Sequence, residues 1–99
     1  MTKLIIPEED IILAVCIYIA RQREIEPAEV EVELFYDDYS GFSAEITTVF
    51  GKQEIVTKHI ISALREWIKE NLHANPYAGL KLDLNRTNGI YARLRSEDE

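Results

Sequence analysis

Two aspartates and two tyrosines crowd one short segment, Tyr36, Asp37, Asp38 and Tyr39, just before Ser40 and Gly41. Adjacent carboxylates can ligate a hard cation, with Glu33 or Glu45 completing the set. The calcium-loop pattern, alternating acidic residues leading to a glycine and then a glutamate six residues on, is absent. Asp and Ser also favour turns, because their side chains bond nearby backbone N–H groups. Turn chemistry is therefore the stronger reading. A carboxylate metal or small-ligand site at Glu33, Asp37, Asp38 and Glu45 is the alternative.

Other reactive side chains are scattered. His59 and His73 have no cysteine or acidic partner at ligand spacing, which argues against a soft-metal site. Cys16 sits in an apolar run, without the cationic surroundings of a reactive thiol. No serine occupies a G-x-S-x-G elbow, and no glycine-rich loop leads into a helix as phosphate binding requires. An enzyme would have to work with carboxylates alone. The sequence leans away from catalysis and calls for no cofactor.

The elements that carry these residues read as one pattern written twice. A helix-period stretch from Pro7 to Arg23 precedes two alternating strands that meet at Ser40-Gly41. A second, Glu54 to Leu72, precedes two more strands that meet at Asn88-Gly89. A shift of 48 residues lays Ile12 on Ile60, Leu34 on Leu82, Gly41 on Gly89 and Ala44 on Ala92. Val30, Val32, Leu34, Tyr36, Phe42, Ala44 and Ile46 alternate with polar residues, as do Leu80, Leu82, Leu84, Ile90, Ala92 and Leu94. That period marks a sheet with one buried face. Pro27 and Pro76 punctuate the helix-to-strand links, and Ser96 to Glu99 forms an acidic tail expected to fray.

The order αββαββ predicts a two-layer α+β sandwich, with a four-stranded antiparallel sheet under two helices on one face. This is a ferredoxin-like chain with its first strand moved to the end. Right-handed crossovers suggest the sheet order 1-2-4-3, which would bring Glu45 close to Arg93 or Arg95. Residues 1–99 are expected to form a single domain with two halves, 7–50 and 54–95.

The opposite sheet face carries the only patterned chemistry. Its first half shows Glu31, Glu33 and Glu45; its second shows Lys81, Arg93 and Arg95. Phe35 and Tyr91 add aromatic surface of the kind protein contacts favour. One reading is charges that pair within the chain. The other is recognition of a protein partner, through this charged face or through the hairpin tip at Asp37 to Phe42. A stacking platform for single-stranded nucleic acid on Lys81, Tyr91, Arg93 and Arg95 is the weakest option. On the first helix, Ile12, Val15, Cys16 and Ile19 form one apolar stripe, and Leu13 with Ile17 forms a second. The second stripe is expected to meet the second helix or, in the preferred reading, a second copy in a homodimer. The second helix offers a single face: Val56, Ile60, Ala63, Leu64, Trp67 and Ile68.

A net charge of −7 repels phosphate backbones and anionic lipid, so general nucleic-acid or membrane binding is not expected. The longest apolar run, Ile11 to Ala20, is about half of the ~20 residues a spanning helix needs. No secretory leader is visible and the one cysteine cannot form an internal disulfide, which points to the cytoplasm.

The stretches DIILAVCIYIA from Asp10, VEVELFYDD from Val30 and GFSAE from Gly41 resemble the YxcD-like family of small uncharacterised bacillar proteins. The resemblance continues through ALREWI from Ala63 and GIYAR from Gly89. It implies a cytoplasmic bacterial protein of unknown function, without assigned catalytic residues.

Overall fold

A computed structural model describes residues 3–72, 79–87 and 89–95. The elements run β1 (Lys3–Ile6), α1 (Glu8–Arg23), β2 (Glu31–Asp37), β3 (Gly41–Thr48), β4 (Gly51–Val56), α2 (Thr57–Asn71), β5 (Leu80–Asn85) and β6 (Gly89–Arg95), with a 3₁₀ turn at Pro27–Glu29. His73, Pro76, Asn88 and the tail from Ser96 to Glu99 lie outside the described residues.

The single four-stranded sheet expected from the sequence does not form. The described residues form two three-stranded antiparallel sheets, ordered β2-β3-β4 and β1-β6-β5. The cause is two strands that the sequence pattern did not separate from the helices. The chain turns through Val49 and Phe50, so β4 takes the free edge of β3; β1 likewise takes the free edge of β6. With both edges of β3 and of β6 filled, those two strands cannot pair with each other. The sheet order 1-2-4-3 and the Glu45–Arg93 neighbourhood fall with it.

Each half is therefore βαββ, and its first strand joins the other half's hairpin. Ile55 pairs with Ala44 just as Ile6 pairs with Ala92. The pairing map is unchanged when the halves are exchanged, which is the mark of an internal two-fold. The two repeats align with a shift of 48 residues in the hairpins but 49 in the preceding strand and helix. Under the second shift Lys3 falls on Lys52, Ile6 on Ile55, Ile11 on Ile60, Ala14 on Ala63 and Ile19 on Ile68.

Helix α1 begins after Pro7, whose extended backbone (φ −70°, ψ 165°) sets the entry, with Glu8, Glu9 and Asp10 at the positive dipole end. Glu24 takes the left-handed conformation at φ 58°, and Ile25 N–H donates to the Ala20 carbonyl at 3.0 Å, which closes the helix. Arg23 sits 5.7 Å from the centre of the Phe50 ring and hydrogen-bonds Gln53, pinning the turn between the halves to the end of α1.

The core lies between the helices and the inner sheet faces. Ile11, Ala14, Val15 and Ile19 of α1 meet Ile60, Ala63, Leu64 and Ile68 of α2 above Ile6, Ala44, Ile46, Ile55, Ala92 and Leu94. Of the stripe expected on α1, Val15 and Ile19 are buried, but Ile12 and Cys16 are only half-buried and Ile11 and Ala14 are buried in their place. Val56 belongs to β4 and is exposed, so it does not contribute to the apolar face of α2. No helix among the described residues is long and apolar enough to cross a membrane.

Candidate functional site

Side chains alternate along each strand, so those between the buried ones form an outer face on each sheet. On β2-β3-β4 the register sets Glu33 opposite Glu45 and Glu45 opposite Glu54, three carboxylates abreast. Glu31, Thr47 and Lys52 make the next row, and Phe35, Ser43 and Val56 the row on the other side. Like charges directly opposite destabilise a sheet. The one cation in these rows, Lys52, lies 3.9 Å from Glu45 and is largely solvated, so it offsets little of the repulsion.

The outer face of β1-β6-β5 repeats this register with the opposite sign. Lys81 stands opposite Arg93, and Arg93 opposite Ile5. Arg93 forms an ion pair with Asp83 at 3.2 Å, and Tyr91 stands across from Asp83. Arg95 pairs in register with Lys3 at the end of β6.

The acidic face is open and shallow. A hollow of about 420 Å³ is lined by Phe35, Glu45, Lys52, Gln53 and Glu54. A second, of about 230 Å³, is lined by Glu31, Val32, Glu33, Glu45 and Thr47. Both are broad surfaces rather than enclosed pockets that could exclude water from a reaction.

The first hairpin tip behaves as a turn. Asp37 Oδ1 accepts the Tyr39 N–H at 2.7 Å, and Tyr39 is fully exposed next to Asp38. The Tyr36 and Phe42 rings pack at 4.9 Å between centroids. Among the described residues no group of three His, Cys, Asp or Glu side chains converges as a metal site would require. His59 is exposed on α2. Cys16 is half-buried, its Sγ 3.5 Å from the Val30 carbonyl, and burial pushes its thiol pKa up, away from reactivity.

The structure gathers Glu31, Glu33, Phe35 and Glu45 on one outer face and Lys81, Tyr91 and Arg93 on the other. It leaves Asp38 and Tyr39 at the hairpin tip. Leu13 is 46% exposed on α1, whereas Ile17 is half-buried in the groove between the helices with Tyr18 and Trp67. Sequence reasoning missed Glu54 and Ile5, the third members of the two charged rows.

A family model described as "Protein of unknown function (DUF2653)" matches residues 1–87. The chain is also similar to the "Uncharacterized protein YxcD" of Bacillus subtilis (strain 168), 32% identical over 75 residues, which is 75% of this chain and 74% of the relative. Both agree with the resemblance read from the sequence. No solved structure matches the chain.

Proposed function

The chain belongs to the DUF2653 family of proteins of unknown function, and on that premise we propose that it is a non-enzymatic interaction module of the bacterial cytoplasm. Its contact surface is the pair of outer sheet faces, with Asp37, Asp38 and Tyr39 at the rim. The observation that carries this reading is the row Glu33, Glu45 and Glu54. Three carboxylates abreast cost the isolated chain stability, and a partner's cations placed over them would relieve that cost. The exposed Phe35 beside the row supplies the aromatic contact that such an interface uses.

The alternative, a carboxylate metal or small-ligand site at the first hairpin, draws no support from Asp37, whose Oδ1 is engaged by Tyr39 N–H. A homodimer through Leu13 and Ile17 is a weaker reading, because Ile17 already packs in the inter-helix groove.

The test compares wild type with a Glu33→Gln, Glu45→Gln, Glu54→Gln variant as bait in host extract at low salt. A discrete protein retained by wild type and lost with the variant supports the reading. Identical capture profiles for the two baits overturn it.

A further inference from the structure

We infer that the acidic sheet face is met by the basic sheet face of a second copy of the same chain. The inference rests on the interaction role proposed above and names its partner. Glu33 and Glu45 occupy the positions in β2 and β3 that Lys81 and Arg93 occupy in β5 and β6, with the same cross-strand pairing. Neighbouring strands lie about 4.7–4.9 Å apart in both sheets, so the two rows present opposite charges at matched spacing. The third position is unmatched: where the acidic row has Glu54 the basic row has the half-exposed Ile5, so two cations face three carboxylates.

Within one chain these charges do not meet. Glu45 reaches Lys52 and Arg93 reaches Asp83, each on its own sheet. Among the described residues no ion pair joins the two outer faces. The helix side shows the contrast. There Arg21 and Glu70, also equivalent in the two halves, do pair directly, because α1 packs on α2. A second copy laid sheet on sheet is the arrangement that brings Lys81 and Arg93 over Glu33 and Glu45. Lys52 and Asp83 dilute the contrast, and the net charge of −7 opposes approach of two copies. The contact is therefore short-ranged and of moderate affinity.

Sedimentation of the purified chain over a wide concentration range tests this, using wild type, a Glu33→Lys, Glu45→Lys variant and a Lys81→Glu, Arg93→Glu variant. Wild type is expected to self-associate, and each variant alone to do so about tenfold or more weakly. An equimolar mixture of the two variants is expected to regain association. Circular dichroism checks that each variant is folded; where one is not, Glu45→Gln and Lys81→Gln replace the reversals. A wild-type chain that stays monomeric throughout overturns the inference, as does a mixture that associates no better than its components. If the monomeric chain still captures a distinct protein through its glutamates, the interaction role stands and only the identity of the partner falls.

Discussion

Arg21 and Glu70 hold the same place in the two halves of the chain and are bound to each other, two guanidinium nitrogens on two carboxylate oxygens at 2.9 and 2.7 Å. Arg21 also reaches Glu66 at 3.3 Å. Residues at equivalent positions beside an internal two-fold face one another, so identical repeats would set like charges together there. Opposite charges at these two positions make a bidentate pair there instead.

The pair fixes a pH dependence. The hydrogen bond from Arg21 holds the Glu70 carboxyl below its ordinary range. A carboxylate depressed on folding contributes stability that is present above its unfolded pKa and lost as pH falls through its folded pKa. Arg21→Ala should therefore melt below wild type at neutral pH and low salt, by a small margin because the pair is solvated. The gap should close on acidification and with added salt. A gap of constant size from neutral to acidic pH would show that Arg21 acts through packing.

Glu45 is the most crowded carboxylate of the sheet faces, with Glu33 on one side and Glu54 on the other. Glu45→Gln relieves both repulsions and loses only a weak contact with Lys52, so it should stabilise the isolated chain by about 0.2–1 kcal/mol. Urea denaturation should show a higher midpoint with an unchanged slope. The gain should shrink as salt rises. Unchanged or lowered stability at low salt would remove the strain on which the proposed function rests.

The legible parts of this fold are those with strong periodicity. Both hairpins showed a clean two-residue alternation, and both helices showed apolar spacing near 3.6. The edge strands β1 and β4 did not. Lys3–Ile6 is only four residues long, and Gly51–Val56 buries Ile55 alone, so its polar residues read as the approach to a helix. A fixed shift of 48 also put the helices one residue, about 100°, out of phase. It selected Ile12 where the buried partner of Ile60 is Ile11. Aligning the strand and helix separately would have exposed Lys3 with Ile6 and Lys52 with Ile55 as the missing strands. The exchange of those strands between halves is set by tertiary packing, which no local pattern records. The charged outer residues were legible because alternation alone assigns them; their third members were not, because they lie on the strands that were missed.

Ile11 and Ile60 test the internal two-fold through the core. Both are fully buried, and both line the apolar seam that also holds Leu34, Leu82, Phe42 and Ile90. Ile11→Val and Ile60→Val should each cost about 0.5–1.5 kcal/mol. Because the two share neighbours, the double variant should depart from additivity by about 0.5 kcal/mol or more. Strict additivity in chemical denaturation would mean that the halves pack as independent units.

Gly41 and Gly89 begin the second strand of each hairpin at φ +76° and +67°. Among the described residues a Cβ at Gly41 would meet only the Thr57 hydroxyl at 3.7 Å, an ordinary contact, and that hydroxyl is held by the Phe42 carbonyl at 2.6 Å. A Cβ at Gly89 would lie 3.1 Å from a Glu8 carboxylate oxygen, the mobile end of a long side chain. Backbone conformation, rather than crowding, is then the reason for glycine at both sites. Gly41→Ala and Gly89→Ala should each lose about 1–2 kcal/mol, and asparagine should be better tolerated than alanine. Adding Glu8→Ala to Gly89→Ala should recover little of that loss in thermal or urea melts. Substantial recovery would assign Gly89 to the close approach of Glu8 instead of to the turn.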